Sequence, residues 1–75
     1  SWLVHAVRTG FMEKEDLIGR YFANEDTRIR VVSDPGGNLL TVEVTATNAE
    51  HPFGEVGDQW DTDYVQLMSA WNLQP

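Results

Sequence analysis

The chain has 75 residues, a formal net charge of -7 and no cysteine. A chain of this length forms one domain, residues 1–75, and buries only about 60% of its unfolded surface, which leaves little room for a deep enclosed active site. The lack of cysteine excludes disulfides and Cys-based zinc sites, and it favours a reducing compartment, the cytoplasm.

Residues 2–8, which read WLVHAVR, are apolar and rich in β-forming side chains, and they predict a strand covered on both faces. Thr9-Gly10 ends this strand. The next segment, Phe11–Ala23, predicts a helix because its apolar side chains recur at helical spacing. Gly19 is a weak point of that helix, since glycine costs about 1 kcal/mol relative to alanine in a helix interior.

Arg28–Val32 and Leu39–Thr47 predict an antiparallel hairpin with one buried and one wet face, because apolar and polar side chains alternate along both runs. The turn is predicted over Asp34–Asn38, which reads DPGGN. Along the second run, the residues predicted on the buried face are Leu40, Val42, Val44 and Ala46. The register that this pattern favours pairs Ile29 with Val42, Val31 with Leu40, and Arg28 with Glu43.

Residues 48–59 contain Pro52, Gly54 and Gly57 and predict a long loop, which in a small domain is often functional. Asp61–Leu73 then predicts a second helix, with Asp61 as its N-cap and Thr62 as the alternative. Its apolar face consists of Tyr64, Leu67, Met68 and Trp71. The element order predicts a small α+β domain of the β-α-β-β-α type, in which two helices pack on one face of a three-stranded, mainly antiparallel sheet.

Charge is distributed unevenly along the chain. All five Lys and Arg residues precede residue 31, whereas residues 31–75 hold seven Asp and Glu residues and no cation. The negative electrostatic potential of this second part repels nucleic acid and anionic membranes and attracts a cationic protein surface. A requirement for solubility alone would also account for the excess of acids. No apolar run approaches the ~18 residues of a membrane helix. No signal peptide is expected, because no basic stretch followed by an apolar run begins the chain.

Catalytic signatures are weak throughout. No phosphate loop, dinucleotide fingerprint or nucleophile motif occurs, and a calcium loop counted from Asp61 fails because Gln66 and Asn72 stand where Gly and Glu are required. We therefore predict no catalytic residue, no cofactor and no metal ligand. Arg28 and Arg30 project from one strand face as a small basic spot, but the overall charge opposes contacts with nucleic-acid phosphates.

The leading interpretation is a non-enzymatic protein-binding module, an inhibitor or adaptor that docks on a basic surface of a partner protein. In a narrower form, its carboxylates imitate nucleic-acid phosphates. One alternative is an accessory subunit or oligomeric module, a homo-oligomer included, that uses a sheet edge or an apolar surface. Another is a divalent-metal-binding domain that uses the acidic loop 50–63. The predicted partner-binding residues are Glu43, Glu50, Phe53, Glu55, Asp58, Asp61 and Asp63.

Overall fold

The structure is a computed structural model that describes residues 12–48 and 54–75. Its described elements form a five-stranded antiparallel sheet with the strand order β4-β3-β2-β1-β5. They follow one another as a 3-10 helix Lys14–Leu17, β1 Tyr21–Ala23, β2 Thr27–Gly36, β3 Leu39–Thr47, β4 Gln59–Asp63, α1 Tyr64–Ala70 and β5 Asn72–Leu73. The predicted three-stranded sheet with two helices is therefore wrong. In the described residues the domain is mostly sheet, with a single α-helix of 7 residues.

The predicted hairpin is confirmed as β2 and β3, and the two faces of its strands are mostly as expected. Its inward side chains, Ile29, Val31, Leu40, Val42 and Val44, are fully buried. Ala46 is exposed, contrary to the prediction, because a bulge near Arg28 places one extra residue in β3 and ends the simple alternation.

The predicted register is wrong by two residues. Val31 lies opposite Val42, and Arg30 opposite Glu43. The connection is shorter than predicted, because Gly36 already pairs with Leu39 and only two residues turn the chain. The first of these two, Gly37, has φ 60, which is the positive φ that a type II′ hairpin turn requires at that position. Irregular pairing between Val31 and Gly36 absorbs the remaining residues. Because the shift is of two residues, Ile29, Val31, Val42 and Val44 keep their predicted buried face.

The helix predicted over Phe11–Ala23 is wrong. Gly19 adopts φ 84 and donates its N–H to the carbonyl of Val31, while the N–H of Val31 donates to the carbonyl of Arg20. From Gly19 onward, backbone hydrogen bonds to strand β2 of the hairpin thus replace the hydrogen bonds of a helix, and strand β1 follows. Phe11 and the strand predicted over residues 2–8 lie outside the described residues.

The second predicted helix is also placed differently. Gln59–Asp63 is strand β4, because it pairs with β3 and turns Trp60 and Thr62 towards the core. The helix begins only at Tyr64, with Asp63 rather than Asp61 as its N-cap. It ends at Ala70, after which Asn72 and Leu73 pair with β1 as β5.

One hydrophobic core lies on the inner face of the sheet. Leu17 of the 3-10 helix and Leu67 of α1 belong to the same buried cluster as Phe22 and the inward residues of β2 and β3, so both short helices cover this face. Lys14 links the 3-10 helix to the hairpin tip. Its ammonium donates hydrogen bonds to the Asp34 carboxylate and, at 2.7 Å, to the Gly37 carbonyl. Within residues 12–48 and 54–75, no helix is both long and apolar enough to pass through a bilayer.

Candidate functional site on the acidic sheet edge

Strand β4 presents acidic side chains at one edge of the sheet. Because side chains alternate along a strand, Trp60 and Thr62 point inward, and Asp61 points to the opposite, outer face. Glu43 of β3 belongs to this face too, since its pairing partner on β4 is Gln59, which precedes the inward Trp60. The outer face therefore carries two neighbouring carboxylates on adjacent strands.

Neutral donors hold these two carboxylates. The hydroxyl of Thr41 donates to Asp61 Oδ1 at 2.7 Å, and the amide of Gln59 donates to Glu43 Oε1 at 2.8 Å. These hydrogen bonds restrict the side chains but do not neutralise their charge. Arg30 of β2 is the cross-strand partner of Glu43, but the two side chains form no salt bridge. Among the residues that the structure describes, the only ion pair joins Lys14 and Asp34.

The turn that leads into β4 contributes Glu55 and Asp58. The carboxylate of Asp58 accepts a hydrogen bond from the backbone N–H of Glu55 at 2.9 Å, so Asp58 stabilises the turn itself. Two backbone hydrogen bonds, Gly57 N–H to Val44 O and Val44 N–H to Asp58 O, fix this turn against β3. The side chain of Glu55 is exposed, and its carboxylate accepts none of the hydrogen bonds found among the described residues.

Asp63, at the far end of β4, has a structural role as well. Its carboxylate accepts hydrogen bonds from the backbone N–H groups of Val65 at 2.9 Å and Gln66 at 3.1 Å, and it thereby caps α1. A substitution at Asp63 will consequently change the stability of the domain in addition to its surface charge.

Five of the seven predicted partner-binding residues lie on β4, on the turn before it or on the neighbouring strand β3, and two are undescribed. We use the name acidic edge for the group Glu43, Glu55, Asp58, Asp61 and Asp63. Glu50 and Phe53 lie outside the described residues. Asp34, another acid of the second part of the chain, lies apart at the hairpin tip. There the hydrogen bond from Lys14 and then the N–H of Gly36 lower the pKa of its carboxyl below the ordinary 3.8.

The sequence interpretation missed an arginine-tyrosine cluster on the outer face. The guanidinium of Arg28 lies 4.0 Å from the ring centroid of Tyr21, and that of Arg30 lies 5.7 Å from it. Alternation along β2 had already placed both arginines on one face. Tyr21 was missed because it was assigned to a helix, whereas strand β1 pairs it directly with Arg30.

Other chemistry finds little support in the described residues. No group of three or more His, Asp or Glu side chains in residues 12–48 and 54–75 could hold a metal ion. An open cleft of about 250 Å³ lies at the end of the sheet between the β1–β2 turn and the last residues of β3. Apart from Arg28 at its border, its charged groups are Glu25 and Asp26 of that turn.

Comparison with known proteins found no similarity. No family model matches the sequence, and no curated protein or solved structure matches it significantly.

Proposed function

We propose that this protein is a non-enzymatic protein-binding module, an inhibitor or adaptor that docks its acidic edge on a basic surface of a partner protein. The observation that carries the proposal is the arrangement of Glu43 and Asp61, which lie diagonally across the β3–β4 pair on the outer face and are each bonded by a neutral donor. Ordered carboxylates that form no salt bridge attract a complementary positive surface and lose little conformational entropy when they bind it.

Exposed apolar groups near the acidic edge support the same interpretation. Val56, in the turn before β4, is 63% exposed, and Leu39, which pairs with the last residue of β4, is 41% exposed. Protein interfaces commonly combine apolar contact with charged groups at the rim. In the narrower form of the proposal, the carboxylates take the places of nucleic-acid phosphates on the partner. Duplex DNA would then compete with this protein for the partner.

The test uses a deca-lysine peptide as a defined basic probe, with binding measured by calorimetry over a series of salt concentrations. We expect the double variant Glu43→Gln and Asp61→Asn to weaken binding roughly two- to thirtyfold at low salt, since each exposed charge pair contributes about 0.2–1 kcal/mol and two are lost. Both substitutions keep the carbonyl oxygens that accept from Gln59 and Thr41, so the fold is retained.

The matched control is the double variant Glu15→Gln and Asp16→Asn, which removes the same charge from the exposed acids of the 3-10 helix. If binding reflects the net charge alone, both double variants will weaken it equally, and the proposed docking surface is then rejected. Affinity that does not fall with rising salt would also reject it, because screening shortens the range of charge attraction.

The proposal includes no catalytic residue and no cofactor. It places the protein in the cytoplasm, because a chain without cysteine suits a reducing compartment.

A second candidate function is that of an accessory or oligomeric subunit. The exposed apolar side chains Val56 and Leu39 favour it, since they would be buried at a subunit contact. Sedimentation velocity over a range of protein concentrations tests self-association, with Val56→Asp as the disrupting variant. A monomer at every concentration would leave the acidic edge as the better-supported surface.

A further inference from the structure

The outer face holds a second charged feature, opposite in sign to the acidic edge. Arg28 and Arg30 are both exposed, and both guanidinium groups lie near the ring of Tyr21. Arg30 lies directly opposite Glu43 on the next strand, yet the two side chains form no ion pair. Among the described residues, neither guanidinium group is therefore engaged in a salt bridge.

The spacing of the two arginines defines what they can bind. They occupy alternate positions on β2, so their side chains leave the sheet about 7 Å apart, twice the rise per strand residue. An extended peptide with acids at alternate positions presents its carboxylates at the same spacing. We propose that Arg28, Arg30 and Tyr21 form a docking surface for an extended acidic segment of a partner protein, with one carboxylate on each guanidinium.

The chemistry of the cluster favours carboxylates of a peptide over a nucleic-acid strand. A guanidinium matches a carboxylate with two parallel hydrogen bonds, and the contact with Tyr21 orders the Arg28 side chain before binding. A nucleotide base would need the face of Tyr21 for stacking, but Arg28 already covers that face at 4.0 Å.

This surface is distinct from the acidic edge, although Arg30 and Glu43 are cross-strand neighbours. It requires an anionic ligand, whereas the acidic edge requires a cationic one, and the two occupy neighbouring parts of the same sheet face. A partner that engages both would carry a basic area beside an acidic segment. The two tests are distinguishable, because one uses a cationic probe and the other uses anionic peptides.

The experiment is an NMR titration of the full chain with two capped peptides of equal charge, Gly-Glu-Ser-Glu-Gly and Gly-Glu-Glu-Ser-Gly. We expect the first peptide, with alternate acids, to bind several-fold more tightly and to shift the signals of Tyr21, Arg28 and Arg30. The double variant Arg28→Gln and Arg30→Gln should weaken its binding about tenfold, since two charge-assisted contacts are lost.

Tyr21 provides the matched pair of variants. Tyr21→Phe keeps a ring beneath Arg28 and should retain binding, whereas Tyr21→Leu should weaken it about threefold because the guanidinium is no longer held. Melting temperatures show that each variant is folded. The proposal is overturned if the peptides bind equally, if neither shifts the three residues, or if a penta-thymidylate shifts them at lower concentration than the peptide.

Discussion

Replacing Asp63 by alanine separates the structural role of this residue from its place on the acidic edge. Its carboxylate accepts from two backbone N–H groups at 2.9 and 3.1 Å, and both lose their acceptor in Asp63→Ala. Loss of an N-cap costs about 1 kcal/mol. A helix of 7 residues is too short to be stable by itself, so α1 depends on this cap and on its burial. For a domain of this size, 1 kcal/mol corresponds to a fall in Tm of roughly 4–8 °C.

Thermal unfolding followed by circular dichroism measures the effect. Asp63→Ser keeps a capping oxygen while removing the charge, so we expect it to recover most of the lost Tm. Asp61→Asn is the control, because it removes an exposed charge from the same strand, keeps an oxygen that accepts from Thr41, and should change stability by about 0.5 kcal/mol or less. If Asp63→Ala and Asp61→Asn have the same Tm, the capping argument is refuted. If the serine variant melts as low as the alanine variant, charge rather than capping explains the loss.

Three further outcomes follow from the structure. Leu67→Ala should destabilise the domain by about 2–5 kcal/mol in chemical unfolding, since Leu67 is 1% exposed, while Val65→Ala on the same helix, 54% exposed, should cost far less. Because the pKa of Asp34 is lowered in the folded protein, its carboxylate contributes its full stabilisation at pH values above the ordinary pKa of 3.8. This contribution is lost as the pH falls through the lowered pKa. Lys14→Gln should move the pKa of Asp34, followed by NMR, back towards 3.8. Gly57→Ala should cost about 1–2 kcal/mol in thermal unfolding, although its methyl group would meet no atom within 4 Å, because φ is 97. An unchanged Tm in Gly57→Ala would show that the turn relaxes.

The hairpin could be predicted from the sequence because its signal is local. Alternation placed Ile29, Val31 and Val42 on the buried face, and all three are buried. The register depended on the turn, and a Pro-Gly-Gly-Asn segment permits several turns of different length. The structure uses the shortest of these and adjusts the pairing with irregular steps, which no residue count at the turn would indicate.

The segment Phe11–Ala23 was wrongly predicted as a helix because the spacing of its apolar residues fits either a helix or a turn followed by a strand. Leu17 and Phe22 do share the core, as a helix would require, but a turn at Gly19 and a strand after it bring them there. Tyr21 therefore points outward and meets Arg28. The contact between Tyr21 and Arg28 results from strand pairing across the sheet. The spacing of apolar residues along the sequence does not predict such pairing.

Strand β4 was missed for a related reason. Gln59–Asp63 is short and mostly polar, so it lacks the composition of a strand, and only its pairing with β3 identifies it. The acids of residues 55–63 were predicted as binding residues, but their arrangement at one sheet edge could not be derived without that pairing. Glu43, far away in the sequence, joins them because β3 is the neighbouring strand.

The position of β4 at the border of the sheet also bears on how the molecule behaves in a crowded solution. No described strand pairs with its free side, so its backbone groups could template a strand from another molecule. Charged side chains are a common protection against such edge-to-edge aggregation, and Asp61 and Asp63 stand on this strand. The carboxylates that we propose for docking would thus also oppose the joining of copies of this chain into a continuous sheet.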